Sequence, residues 1–186
     1  TTFRNTELIF NNELASYVEE KGYNALLGEG ADHLLGWREP NHIYETPTTE
    51  DLDLFLRNYE LSDDIAFRFS NESWKHHPLG AETFAKWIDD INGTGEIINL
   101  FMDYETFGEH QWASTGIFDF FKGMVDNIIA SNDNDFLTIE QASERYDARG
   151  EVDAHHYTSW ADARRDLGAW QGNELQRQAQ DELYEL

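Results

Sequence analysis

Cysteine is absent from the 186 residues. Its absence removes disulfides, thiolate zinc sites and cysteine nucleophiles from consideration. Lysine is almost as scarce: the four lysines and the arginines total 13 basic residues, against 37 Asp plus Glu and a formal net charge of −24. Binding to nucleic acid phosphates needs clustered Lys and Arg, so nucleic acid is excluded as the main partner. An anionic membrane surface is disfavoured on the same ground. No apolar run approaches the roughly 18 residues of a membrane span. No basic end followed by an apolar stretch opens the chain, so no signal peptide is visible and the expectation is a cytoplasmic protein. Proline is limited to three residues and no internal repeat is visible.

The residues that are present can build a core: 40% are apolar and 14% aromatic. The acids are spread along the whole chain. Such a surface suits an ordinary acidic protein, and equally a protein living in high salt, where screening removes self-repulsion. Composition leaves both open.

Strands are expected over residues 2–9, 23–27, 52–57 and 96–102, the last a near-continuous apolar run (EIINLFM). Helices are expected over 12–21, capped by Asn11 or Asn12 and followed by Gly22, and over 78–91, with Ala81, Phe84, Ile88 and Ile91 on one face. A strongly amphipathic helix is expected over 117–129, with Ile117, Phe118, Phe121, Met124, Val125, Ile128 and Ile129 forming its apolar face. A shorter one follows over 138–146. A long helix over 162–186 is expected to start at Asp162 and to be seamed by Leu167, Trp170, Leu175, Ala179 and Leu183. Residues 31–46 read as irregular, with Gly36, Pro40 and Pro47 as punctuation.

Strands alternating with helices imply parallel pairing and an α/β fold. Residue 1 already stands at the mouth of a strand, so the chain is expected to be a piece of a longer protein. In α/β folds, functional groups collect at the carboxyl ends of strands. Glu7 ends the first strand, and Asp103, with Glu105 close behind, ends the fourth. Two carboxylates so placed suit glycosidic bond cleavage, one as nucleophile and one as proton donor, held about 5–5.5 Å apart for retention. In so acidic a chain they can also simply face solvent. The segment MDYETFGEHQW at 102–112 packs acids, His110, Gln111 and aromatic rings directly after a buried strand. That mixture suits a sugar, with hydroxyls on its edge and C–H groups on its face; it also suits a polar loop with packing aromatics.

FRNTELIF at the start, LRNYELSDDIAFRFS at 56–70, MDYETFGEHQW at 102–112 and YTSWADARRDLGAWQGNELQ at 157–176 resemble glycoside hydrolase family 57, in particular its α-amylase group. The resemblance implies part of a (β/α)7 barrel, about strands four to seven, followed by C-terminal helices. The barrel half falls over 1–132 and a helical extension over 133–186, with the missing strands supplied by the rest of a parent chain. It implies metal-free, cofactor-free cleavage of α-1,4-glucans with retention, or transfer of glucan chains on the same scaffold as in a 4-α-glucanotransferase or branching enzyme. It places the nucleophile on Glu7 and the acid/base on Asp103. Trp160 lies where the family has a late motif and reads as substrate wall.

Around that pair, Glu105, His110, Gln111 and Trp112 are candidates for binding sugar hydroxyls or stacking on a ring, each with an equally ordinary structural use. Arg57, Asn58, Ser62, Asp63 and Asp64 follow the third strand; Asp63 is a substrate-binding candidate, or part of a capped turn. Asp162 reads as a helix cap. Glu29 and Asp32 end the turn after the second strand, whose glycines match no phosphate-binding fingerprint. The adjacent pairs His76–His77 and His155–His156 point apart in regular structure and chelate poorly, so no metal site is expected. No H-E-x-x-H and no G-x-S-x-G occurs. A sugar-binding relative without catalysis and a metal-dependent deacetylase on a similar barrel are the readings from other classes.

Overall fold

Asn11 starts the first helix by accepting a hydrogen bond from the Leu14 amide at 2.9 Å, as a helix N-cap does. Similar local rules set most of the other elements in the computed structural model, which describes residues 1–185. In chain order these are β1 (Thr2–Arg4), α1 (Asn12–Glu20), β2 (Ala25–Glu29), α2 (Asp32–Leu35), β3 (Ile43–Tyr44), β4 (Asp53–Arg57), α3 (Tyr59–Asp63), α4 (Ala81–Asp89), α5 (Ile117–Ala130), α6 (Ile139–Arg145), α7 (Gly168–Gln171) and α8 (Glu174–Tyr184). The chain is α/β and divides into two units.

The first unit comprises Thr1–Arg38, Ile43–Leu56 and the segment from Asp147 onward. Its sheet has the order β1-β2-β4-β3. β1 runs parallel to β2, with Thr2 opposite Ala25, and β3 runs antiparallel to β4, with Ile43 opposite Phe55. The sheet is therefore mixed, not wholly parallel as the alternation of strands and helices implies, because β3 forms within a stretch that reads as irregular. Phe10, Val18, Leu26, Leu54, Leu56 and Val152 form the core of this unit. Residues 150–158 are strapped to it through Glu45 N–H to the Gly150 carbonyl and the reciprocal pair between Phe10 and Thr158.

Gly28 in β2 is required by close approach. A Cβ built on it runs into the ring of Phe10, which is fully buried. Gly28→Ala is expected to destabilise by about 1–3 kcal/mol through overpacking, read as a lowered midpoint in urea unfolding. A neutral substitution would mean that the Phe10 ring has room to move.

The second unit comprises Glu39–His42 and Arg57–Tyr146. α3 runs into a π-helical turn at Asp64–Arg68, and α4 packs on α5 around Phe69, Phe84, Phe120, Met124 and Ile128. The buried face of α5 is Ile117, Phe120, Met124 and Ile128, so Phe120 takes the inward position expected of Phe121, which is 43% exposed and meets Phe107 at 4.8 Å.

Two further expectations are corrected. The apolar run 96–102 forms no strand: Glu96 and Ile97 both donate to the Asn41 carbonyl, Asn58 donates to Asn99, and the Phe101 carbonyl goes to a side chain, so no regular ladder forms. The long C-terminal helix is broken. Asp162 instead caps a tight turn through the amides of Arg164 and Arg165. Gly172 ends α7, and Asn173 opens α8 with a capping box to Gln176. α8 has no buried residue, and Leu175 and Leu183 are exposed; Leu186 lies outside the described residues.

Candidate active site

The first strand ends earlier than its apolar pattern suggests, and for a reason centred on Glu7. After Arg4 the chain enters a 3₁₀ turn, Thr6–Leu8, in which Glu7 (φ 52°) and Leu8 (φ 51°) are both left-handed. For residues with a Cβ that conformation costs about 1–3 kcal/mol each and persists only where the surroundings enforce it. Here they do. Asn5 Oδ1 accepts from the Thr6 amide at 2.9 Å, and Asn5 Nδ2 donates to the Ile9 carbonyl at 3.1 Å. The Glu7 carbonyl accepts from Ser159 Oγ at 3.0 Å and from the Trp160 amide at 3.1 Å. Leu8 is buried beneath the turn.

The Glu7 side chain is half-buried, and its Oε2 accepts a hydrogen bond from the Trp160 indole Nε1 at 2.7 Å. Trp160 is itself held. The Arg4 guanidinium lies 5.1 Å from its ring centroid, and Arg165 Nη1 donates to its carbonyl at 3.0 Å. Arg165 also stands 3.7 Å from Oε2 of Glu29, a fully buried carboxylate at the end of β2. A chain of contacts thus runs from Glu29 through Arg165 and Trp160 to Glu7. The sequence points to Glu7 and Trp160 separately but not to their bond, and it leaves Arg165 unremarked. The one hint for Glu29 is a carboxylate separated from the apolar run Ala25–Leu27 only by Gly28.

In the second unit, Asp103 is exposed and precedes a 3₁₀ turn, Tyr104–Thr106, in which the Thr106 amide donates to the Asp103 carbonyl at 3.1 Å. Glu105, His110 and Trp112 on the same loop are exposed, Trp112 at 67%. Gln111 is turned inward, with its Nε2 donating to the Ala66 carbonyl at 2.9 Å. Asp63 is buried as well, its Oδ1 2.5 Å from Nη2 of Arg57. Arg57 is 2% exposed and donates through Nε to the Phe101 carbonyl at 2.7 Å, two residues before Asp103. Arg57 thereby ties α3 to the segment that carries Asp103.

Nearby, burial pushes the Asp64 carboxyl above its ordinary value, while the hydrogen bond and charge of Arg68 work against the rise. Among the described residues no three His, Asp or Glu side chains converge as a metal site; His155 pairs with Asp153 at 2.9 Å. Among them, too, no helix is long and apolar enough to cross a membrane. In the first unit a half-buried carboxylate is held at a strained strand end by an indole donor. In the second unit a carboxylate stands exposed on a loop that also carries acids, a histidine and a tryptophan. Each is a group of the kind that serves in nucleophilic or acid–base chemistry.

A protein of Methanocaldococcus jannaschii described as a candidate alpha-amylase is 42% identical over 186 residues, across 99% of this chain. The chain spans 39% of that relative's length. The fold is shared with a 4-alpha-glucanotransferase from Thermococcus litoralis (TM-score 0.58, 16% identity, 82% of this chain and 24% of that one). It is shared also with an exo-type maltose-forming amylase from Pyrococcus sp. ST04 (TM-score 0.64, 16% identity, 92% of this chain and 32% of that one). The sequence model of glycosyl hydrolase family 57 matches residues 1–155. With most of the chain matched, the protein belongs to glycosyl hydrolase family 57.

Proposed function

We propose that the chain is the catalytic part of a retaining hydrolase of α-1,4-glucans, with Glu7 as nucleophile and Asp103 as acid/base. The observation that carries this reading is the clamp on Glu7: a strained backbone held from both sides, with one carboxylate oxygen fixed by Trp160. Enzymes store strain of this kind where a reacting group must be pre-positioned. The names of the relatives, two amylases and a glucanotransferase, support the substrate class.

In the proposed reaction, a Glu7 oxygen attacks the anomeric carbon. The glycosidic C–O bond breaks, and its electron pair goes to the leaving oxygen, which takes the Asp103 proton. Asp103 then removes a proton from water. That water attacks the same carbon and displaces Glu7, giving retention. Glu105, His110 and Trp112 are proposed to meet sugar hydroxyls and a ring face, and Trp160 to wall the site. Asp63 and Gln111 brace the loop through Arg57 and Ala66. The mixed sheet is proposed to be part of a (β/α)7 barrel over 1–132, with 133–186 as its helical extension and the remaining strands supplied by the longer parent protein.

Turnover of maltoheptaose by the full-length parent tests this. Hydrolysis yields shorter sugars with new reducing ends, and Glu7→Gln is expected to abolish it. Redistribution of chain lengths without new reducing ends would assign a glucanotransferase instead. Undiminished turnover by Glu7→Gln would remove Glu7 from the mechanism.

A further inference from the structure

The second unit carries an open groove of about 510 Å³ that the chemistry above does not use. Trp74, His76 and Trp87 line it, together with Asp64, Arg68 and Lys75. The three rings stand nearly perpendicular to one another: Trp74 to His76 at 5.2 Å and 76°, His76 to Trp87 at 4.9 Å and 72°, and Trp74 to Trp87 at 6.3 Å and 79°. They form a corner, and both tryptophans pack against the core cluster of this unit, which fixes them. Arg68 is fixed too, its Nε donating to Asp64 at 2.5 Å and its Nη2 to the Glu60 carbonyl at 2.7 Å. By contrast, the two indole N–H groups, the His76 ring nitrogens and the Lys75 ammonium make no hydrogen bond among the described residues.

A rigid aromatic corner surrounded by unspent donors selects its ligand by exclusion. A purely apolar molecule would leave those donors unpaired, at a cost. An anion would meet the Asp64 carboxyl. A molecule with an apolar face and a rim of hydroxyl acceptors satisfies both features, and a pyranose is such a molecule. We propose that this groove holds one or two sugar units of an α-glucan at a site lined by none of the residues assigned to bond cleavage. This deepens the glucan reading above and rests on it. Such a site retains long chains by adding a second contact to the same molecule, and it gives no advantage with substrates too short to reach it.

The test uses the full-length parent and its Trp87→Ala, Trp74→Phe and Lys75→Ala variants, with retardation in starch-containing gels as the binding readout and turnover of maltotriose as the control. Trp87→Ala is expected to weaken retention by starch about tenfold, and Lys75→Ala by a smaller factor, with maltotriose turnover unchanged. Trp74→Phe keeps a ring in place and is expected to stay near wild type. Lys75 is exposed, so Lys75→Ala remains informative if Trp87→Ala fails to fold. Wild-type retention in variants that melt normally would overturn the groove as a sugar site while leaving the catalytic reading intact. Variants that lose melting temperature but not retention would mean that the groove packs against the rest of the parent, and would overturn it equally. A parent that neither binds starch nor turns over glucan would sink the catalytic reading and this one together.

Discussion

Replacing Arg57 with alanine is expected to cost about 3–5 kcal/mol of stability, the range for breaking a buried ion pair by removing one partner. Arg57 is 2% exposed, and its guanidinium serves two acceptors at once, the buried Asp63 Oδ1 at 2.5 Å and the half-buried Phe101 carbonyl at 2.7 Å. Without it the buried Asp63 carboxylate loses the guanidinium 2.5 Å away, and the Phe101 carbonyl loses a donor. Lysine is not expected to rescue, because a single ammonium cannot reproduce the planar fork. The double variant Arg57→Ala with Asp63→Ala is expected to lose less than the sum of the two singles, since both members of the contact go together. Urea unfolding of the four proteins measures this. A loss below about 1 kcal/mol for Arg57→Ala would show that the pair is solvated.

Asp103→Asn is expected to lower kcat on maltoheptaose by about 10²–10⁴-fold, the usual contribution of a positioned general acid–base. The mutation is close to isosteric at an exposed side chain that makes no hydrogen bond among the described residues, so the fold is expected to be untouched and the effect confined to chemistry. Two further readouts separate a proton-transfer role from simple binding. A substrate with a good leaving group, such as an aryl maltoside, needs little protonation, so its first step should be largely spared. Azide, a nucleophile that needs no general base, should restore the second step. An unchanged kcat with a raised KM would make Asp103 a binding residue and leave the acid unassigned.

Legibility from sequence varied with how local the governing physics was. Helices α1, α4, α5 and α6 lie close to their expected bounds because caps and apolar spacing act within a few residues: Asn11 and Thr138 cap α1 and α6. The apolar run 96–102 misleads because burial alone does not make a strand; its backbone partners are Asn41, Asn58 and the Arg57 side chain, all distant in sequence. The end of β1 was hidden for a similar reason. Nothing in Asn5–Thr6–Glu7–Leu8 announces two left-handed residues, and the Ser159 and Trp160 groups that hold them lie some 150 positions away. Glu7, Asp103 and Trp160 were named from motifs, whereas the Glu29–Arg165–Trp160 relay needed coordinates. Asp63 and Gln111 read as substrate-binding candidates because a buried carboxylate or amide looks like any other in sequence until its partner is known.

The proposed reaction requires that a carbon–oxygen bond form between sugar and Glu7. Incubating the full-length parent with a 5-fluoro-maltosyl fluoride, which forms the glycosyl-enzyme quickly and releases it slowly, and then mapping the adduct by peptide mass spectrometry tests it directly. A maltosyl mass increment is expected on the peptide containing Glu7, absent from Glu7→Gln. An increment on another carboxylate, or product of inverted anomeric configuration with no adduct at all, would contradict it.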